Sequence, residues 1–400
     1  MALLPVADAL ARLLDGVEAG SPQTVPLGEA AGRVLAADLP ALRTQPPFDA
    51  SAMDGYAVRA GDMAALPAIL DVIGEAPAGK PFAGSVGPGQ AVRIFTGAPV
   101  PEGADTVVIQ ENAEAEGNRV RITARTPEGR NIRLKGLDFA EGDMLLEKGR
   151  LLDPAAVSLA AAGNHAALAV VRRPLVAIVA TGDELMPPGG DPGPGQIVAS
   201  NGYGVAAIAR EAGAEVLDLG IAPDTAEAIS GLVDTALAAR ADVVVTLGGA
   251  SVGDHDLVHA VLTGKGMALD FWKIAMRPGK PLMFGRLEGT RCLGLPGNPV
   301  ASLVCAHLFL KPLVACLSGR SWTPQLLRAT LETPMEANDL RQDYVRAVAT
   351  PSADGLSVRP FGLQDSSMLR TMAASNALIV REPFSPPAPE GSTVSVIMLR

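Results

Sequence analysis

Apolar residues recur along the chain in three rhythms, and each predicts a different kind of element. Near the amino terminus Val6, Leu10, Leu13, Leu14 and Val17 fall at helical spacing over residues 4–20, with Pro5 in the first turn, so an amphipathic helix is expected there. A second helix is expected to start at Gly28-Glu29-Ala30-Ala31, before the extended, proline-bearing Leu39-Pro40-Ala41-Leu42. From about residue 55 to 146 the period falls to two. Short runs such as Tyr56-Ala57-Val58, Ala68 to Ile73, Ala91 to Phe95, Thr106 to Ile109 and Val120-Arg121-Ile122 are punctuated by Gly and Pro, which predicts an inserted all-β barrel or sandwich. Asp153 as N-cap, Pro154 at the first helical position and a stop at Gly163 then predict a helix, and helical segments on either side of the β insert are expected to pack as one discontinuous domain.

The third rhythm runs from Leu175 to about residue 320, where buried-type strands at 175–180, 215–221, 242–246, 282–285 and 291–295 alternate with helices at 202–212, 224–239, 254–263 and 299–317. That alternation predicts a doubly wound α/β domain. After Ser318-Gly319-Arg320-Ser321 the period-two pattern returns, ending in Thr393 to Leu399, and predicts a small C-terminal β domain. The expected fold is α/β and multi-domain: a discontinuous domain from 1–45 plus 141–172, an inserted β domain at 46–140, the doubly wound α/β domain at 173–320 and a C-terminal β domain at 321–400.

Four hundred residues exceed what a single core serves, and 48% hydrophobic content is ample for several. A net charge of −10 argues against a general nucleic-acid-binding surface. Cys292, Cys305 and Cys316 lack CxxC spacing, which indicates neither a disulfide framework nor a zinc site and fits a reducing cytoplasm. The amino terminus lacks the basic region of a signal peptide, and no uncharged run reaches the ~20 residues of a membrane helix, so no membrane association is expected.

Chemistry gathers at the ends of the α/β strands, where ligands of doubly wound sheets bind. After Asp242-Val243-Val244-Val245-Thr246 comes Leu247-Gly248-Gly249-Ala250-Ser251-Val252-Gly253-Asp254-His255-Asp256. Amides at Gly248, Gly249 and Gly253 are suited to an anion, and Asp254 and Asp256 to a divalent cation beside it, unless Asp254 merely caps the helix carrying Leu257 and Val258. Thr181-Gly182-Asp183-Glu184-Leu185 follows the first strand; its acids either face the crevice or complement a helix dipole. Ser200-Asn201 either caps a helix or reads a heterocycle edge. Lys273, Arg277 and Lys280 crowd eight residues around Pro278-Gly279-Lys280-Pro281, as in an anion clamp. Leu295-Pro296-Gly297-Asn298-Pro299 ends a strand and opens a helix, a further oxyanion site.

Six motifs in order, Ser51-Ala52-Met53-Asp54-Gly55-Tyr56, Phe95-Thr96-Gly97-Ala98, Thr181 to Leu185, Gly248 to Gly253, Pro278 to Pro281 and Leu295 to Pro299, resemble the molybdopterin molybdenumtransferase family, which includes the E domain of gephyrin. The resemblance implies four domains, of which the discontinuous one is an elongated mixed domain and the last a small β barrel, and a homodimer with its active site between the α/β domain of one subunit and the β domain of the other. It implies a magnesium-dependent reaction of adenylylated molybdopterin with molybdate that leaves molybdenum on the dithiolene and releases AMP. An adenylyltransferase would supply the substrate, and acceptor molybdoenzymes would receive the product. Asp54, Asp138, Glu184, Lys273, Arg277 and Lys280 would be catalytic, with Asp54, Glu184, Asp224 and Asp254 or Asp256 near the metal. Substrate contacts would come from Thr96, Asp183, Asn201, Gly248, Gly249, Ser251, Gly253, Pro296, Gly297, Asn298 and Pro299, and molybdate contacts from Arg346 and Ser375. The chain departs from the family pattern at Arg277, where lysine is common, and at Ala374-Ser375-Asn376, where Ser-Ala-Asn is familiar. A non-catalytic dimeric scaffold of the gephyrin type is the alternative; it predicts loss of the acidic and basic site residues, which are present. A nucleotide-dependent phosphotransferase would need a GxxxxGK[ST] loop, which the sequence lacks.

Overall fold

A computed structural model of the chain describes residues 3–248, 257–353 and 355–400. It divides into two compact units, one built from Met1–Gln23, Gly32–Val34 and Val170–Arg400 and the other from Thr24–Ala31 and Leu35–Ala169.

The centre of the first unit is a six-stranded sheet in the order Glu215–Ala222, Leu175–Thr181, Val243–Leu247, Thr290–Leu295, Met283–Leu287, Ala268–Trp272. The first four strands run parallel, and Met283–Leu287 pairs antiparallel with both Thr290–Leu295 and Ala268–Trp272. Alternation along each strand feeds two cores. Val176, Ile178, Val243 and Val245 pack with Val205 and Ala209 of the helix Asn201–Ala212 and with Val304 and Leu313. Ala177, Val179 and Val244 pack against Ile229 and Val233 of Ala226–Ala238 and Val258 and Leu262 of Leu257–Gly264. Each such fully buried aliphatic side chain contributes about 1.5–3 kcal/mol, so both faces must be covered and the doubly wound arrangement follows. The amino-terminal helix Val6–Leu14 also joins this unit, because its stripe of Val6, Ala9 and Leu13 is buried in the same core as Leu313. The sequence pattern had grouped it with residues 141–172.

Pro299–Leu317 is a helix long and apolar enough to cross a membrane, but 72% of its most apolar stretch is buried inside the protein, as expected for a core helix. A π-helical turn at Ala306–Leu310 interrupts it. The C-terminal strands close into a five-stranded barrel. Gln342–Ser352 pairs with both Gly355–Pro360 and Ala377–Arg381, and Leu327–Leu331 and Thr393–Met398 complete the ring around Ala347, Val358, Ile379 and Val396. A two-residue strand, Met276–Arg277, runs parallel to Gln342-Asp343 on the barrel's outside edge.

The second unit holds a six-stranded sheet in the order Thr106–Ile109, Gly55–Val58, Gln90–Ile94, Ala68–Ala76, Arg119–Ile122, Ala113–Glu116. Residues on either side of this insert meet through strands: Leu39–Pro40 pairs with Met144–Leu146, and the Leu35 amide donates to the Arg150 carbonyl. Asp153 caps Pro154–Ala162 through the Ala156 amide, at 2.8 Å. No α-helix starts at Gly28. Between Pro26 and the left-handed Gly32 there is room only for a 3-10 turn, Leu27–Glu29.

Candidate functional site

The carboxyl ends of Leu175–Thr181, Val243–Leu247 and Thr290–Leu295 open into a cleft of about 860 Å³, whose walls include Thr181, Gly182, Glu184, Asp224, Gly248, Gly297 and Ser367. Its floor is open because two glycines lie side by side. Gly248 has φ +93°, and a Cβ there would meet the Thr181 carbonyl oxygen at 2.7 Å; the Cβ position of Gly297 is 3.7 Å from the Gly248 Cα. The Gly248 amide is not a free donor, however, because it donates to the Leu295 carbonyl at 3.3 Å. The role of Gly248 is thus to remove bulk, while Gly249, Ser251, Gly253, Asp254 and Asp256 lie outside the described residues.

Acidic residues reach the cleft from two loops that lock together. The Asp224 amide donates to Asp183 Oδ1 at 3.0 Å, and the Asp183 amide makes a longer contact of 3.4 Å to Asp224 Oδ2. Asp224 and Glu184 face the cleft; Asp183 lines an adjoining hollow of about 470 Å³ with Tyr203 and Asp218. Among the described residues no three acidic, histidine or cysteine side chains converge as a metal cluster.

Asn201 lines the cleft, and its Nδ2 donates to the Gly297 carbonyl at 2.7 Å, which ties its helix to the Pro296-Gly297 turn. The helix that begins at Pro299 is capped from the barrel, not left open for an oxyanion at every amide. The Val300 amide donates to the Ser366 carbonyl and Asn298 Nδ2 to Ser366 Oγ, both at 3.0 Å. Asp365-Ser366-Ser367 had not been singled out. Its signal was an Asp-Ser-Ser turn: the Ser367 amide and hydroxyl both donate to Asp365 Oδ1, at 2.8 and 2.6 Å. Thr181, which lines the cleft, keeps its buried hydroxyl without a partner among the described residues.

The cationic segment from Lys273 to Lys280 borders this unit's barrel. Arg277 forms an ion pair with Asp343 and also donates to Asp339 at 3.3 Å and to Asn338 Oδ1 at 3.2 Å. The hydrogen bond it donates to Asp343 raises its already high pKa. Arg346 is fully buried in the barrel wall, where it donates to the Asp365 carbonyl at 3.1 Å and its Nε has no partner among the described residues; burial lowers its pKa. Ser375 is also buried, and its hydroxyl is occupied by the Thr371 carbonyl at 2.8 Å, as that of a serine within a helical turn often is. That bond leaves it no hydroxyl hydrogen for an anion in this arrangement.

In the second unit Asp54 Oδ1 accepts both the amide and the hydroxyl of Thr96, each at 2.7 Å. The Thr96 hydroxyl is therefore a partner of Asp54, not a free substrate ligand. The guanidinium of Arg93 lies 5.1 Å from both the Tyr56 and the Phe95 ring and donates to the Gly55 carbonyl, next to Asp54. The Thr96 amide, then its hydroxyl, then the charge of Arg93 hold the Asp54 carboxyl below its usual pKa. A group depressed in this way favours the fold above its unfolded pKa, and the effect fades as acid protonates it in the folded chain. Thr96→Val keeps the amide but removes the hydroxyl, so the Asp54 pKa is expected to rise part of the way back; a carboxyl 13C titration showing no change would exclude that donor. Asp138 is exposed, with its amide bonded to the Gln45 carbonyl.

Comparison with known proteins agrees with this arrangement over the whole chain. Residues 4–163 match the family model described as MoeA N-terminal region (domain I and II), 177–315 the probable molybdopterin binding domain, and 328–399 the MoeA C-terminal region (domain IV). A molybdopterin molybdenumtransferase from Nostoc sp. is 38% identical over 90% of this chain and 84% of its own. One from Haemophilus influenzae is 37% identical over 92% of each. A crystal structure of the molybdopterin biosynthesis MoeA protein from Pyrococcus horikoshii superposes with a TM-score of 0.81 at 28% identity, covering 99% of this chain and all of that one. With the six motifs in order, the strand-end cleft and relatives of matching length, the chain belongs to the molybdopterin molybdenumtransferase family.

Proposed function

We propose that the chain takes adenylylated molybdopterin and molybdate, cleaves the adenylate, leaves molybdenum on the dithiolene and releases AMP, working as a cytoplasmic homodimer. The observation that carries this reading is the strand-end cleft, floored by Gly248 and Gly297 and walled by Glu184 and Asp224. At about 860 Å³ it falls within the size range of pockets that bury a drug-sized ligand. A pterin phosphate and a pyrophosphate need close backbone approach, which a floor without Cβ atoms provides.

In this reading Lys273 and Lys280 neutralise charge as the adenylate is cleaved, and no side chain forms a covalent intermediate. Arg277 contributes positive potential while anchored to Asp343. Glu184 and Asp224 would hold magnesium, an ion that takes one or two carboxylates and keeps water and substrate phosphates as its other ligands; the long contact at Asp224 Oδ2 leaves that oxygen available. When bound, the ion would screen negative charge on the pyrophosphate oxygens. In the second unit, Asp54 is held below its usual pKa first by the Thr96 amide and then by the Thr96 hydroxyl, which suits its carboxylate to a cationic partner. Unlike Thr96 and Ser375, Arg346 keeps a donor, Nε, without a partner among the described residues, and that donor would serve molybdate.

The test is a reconstituted reaction of the full chain with adenylylated molybdopterin, magnesium and molybdate. Molybdate should stimulate AMP release, and the product should activate an apo-molybdoenzyme. AMP release indifferent to molybdate would overturn the proposal.

A further inference from the structure

Trp272 and Lys273 are neighbours in sequence, and neighbouring side chains of a regular strand point to opposite faces. Here they touch. The Lys273 ammonium lies 5.5 Å from the centre of the Trp272 ring, inside the range of a cation–π contact. The contact exists because Lys273, at the end of the strand Ala268–Trp272, adopts φ +78°, a left-handed conformation uncommon for a residue with a side chain. Its backbone is tied down in that state: the Lys273 amide donates to the Leu282 carbonyl at 3.2 Å, and its carbonyl accepts the Leu4 amide at 3.4 Å. The kink folds the lysine back over the ring that precedes it.

The ring is fixed from a second element. His259, in the first turn of Leu257–Gly264, stacks on Trp272 with ring centres 4.7 Å apart and planes inclined by 24°. His259 Nε2 lies 3.4 Å from the Thr263 hydroxyl, one helical turn on. The indole Nε1, by contrast, is buried without a hydrogen-bond partner among the described residues. A buried tryptophan usually satisfies its N–H, so this ring's orientation is set by what lies against its faces.

We infer that Trp272, clamped by His259, is a positioning residue for the Lys273 ammonium. The inference rests on the role given to Lys273 under the proposed function. A half-buried lysine has four rotatable bonds, and a π face is a directional restraint that uses none of its three donors, so the ammonium remains able to bond a substrate oxygen. The stack also links the helix Leu257–Gly264 to the cationic segment.

Trp272→Leu keeps apolar bulk and removes the π face; Trp272→Phe keeps a face and removes the orphaned N–H. With the reconstituted reaction, Trp272→Leu should lower kcat by between about twofold and thirtyfold, the range of a cation–π contact, with KM changed less than kcat. Trp272→Phe should recover most of that loss. In a Lys273→Ala background, Trp272→Leu should have no further effect, because the two residues act as a unit. Equal rates for the Leu and Phe variants, or an undiminished Leu effect without Lys273, would overturn the inference while leaving the reaction intact. Full activity in Lys273→Ala would instead remove Lys273 from the mechanism, and the inference with it. A measurement on the unmutated chain is independent of folding in any variant: the ε-methylene protons of Lys273 should show an upfield ring-current shift, and ordinary lysine shifts would overturn the stack.

Discussion

Gly248→Ala is expected to abolish turnover and to lower the unfolding free energy by about 2–4 kcal/mol, because it adds a forced left-handed alanine to a backbone clash. At φ +93° an alanine is strained before any contact is considered, and its Cβ would sit 2.7 Å from the Thr181 carbonyl oxygen. That oxygen cannot retreat freely. Thr181 ends the strand Leu175–Thr181, which is hydrogen-bonded on both sides, to Glu215–Ala222 and to Val243–Leu247. Relief would therefore open the ladder at the cleft or move the turn at Gly248 into the space the substrate needs. Gly297→Ala is the matched control. Its Cβ would meet only the Gly248 Cα, at an ordinary 3.7 Å, so stability should change by no more than ~0.5 kcal/mol even as the methyl crowds the cleft. Urea unfolding and molybdate-dependent AMP release, measured on both variants, decide the matter; a Gly248→Ala protein as stable as the parent would show that the floor is not constrained as described.

Lys280→Ala should cut kcat/KM by about a hundredfold to a thousandfold, the usual effect of removing one preorganised donor to developing negative charge. Its thermal midpoint should stay where it was. The three cations of the segment are differently engaged. Arg277 is held by Asp343, Asp339 and Asn338, and Lys273 lies over Trp272. Lys280 is exposed and forms no ion pair among the described residues, while its carbonyl accepts the Ile274 amide and so fixes the backbone beneath it. A side chain with so little structural employment can be removed without unfolding cost. Steady-state kinetics with a parallel melting curve test this; unchanged kcat/KM would take Lys280 out of the site.

The α/β domain was legible in the sequence because its strands are short β-branched runs buried on both faces, as in Val243–Leu247. The edge strand Ala268–Trp272 was not, since Ala268, Leu269 and Asp270 are all exposed and give no alternation. Ala113–Glu116 escaped for the same reason: an edge written Ala-Glu-Ala-Glu has no apolar face to detect. Barrel closure depends on Gln342–Ser352 pairing with two strands at once, a long-range choice that period alone does not reveal. At the site, the sequence picked out loops such as Thr181 to Leu185 and Pro296 to Pro299 that line the cleft, but not which polar groups were already committed. Thr96 is taken by Asp54, Asn201 by Gly297 and Ser375 by Thr371, all decided by atoms that the spacing of motifs does not position.

The two-residue strand Met276–Arg277 has a bearing on how such proteins can be recombined. Covalently it belongs to the α/β domain, yet its backbone pairs with Gln342-Asp343 and its arginine is held by Asn338, Asp339 and Asp343, so by hydrogen bonding it belongs to the barrel. The seam between the two domains therefore does not follow the chain boundary near residue 321. A chimaera that imports a barrel from a relative must bring its own equivalent of these three residues matched to the cation at 277, and one that replaces Arg277 by lysine alone exchanges a planar fork with several donors for a single ammonium.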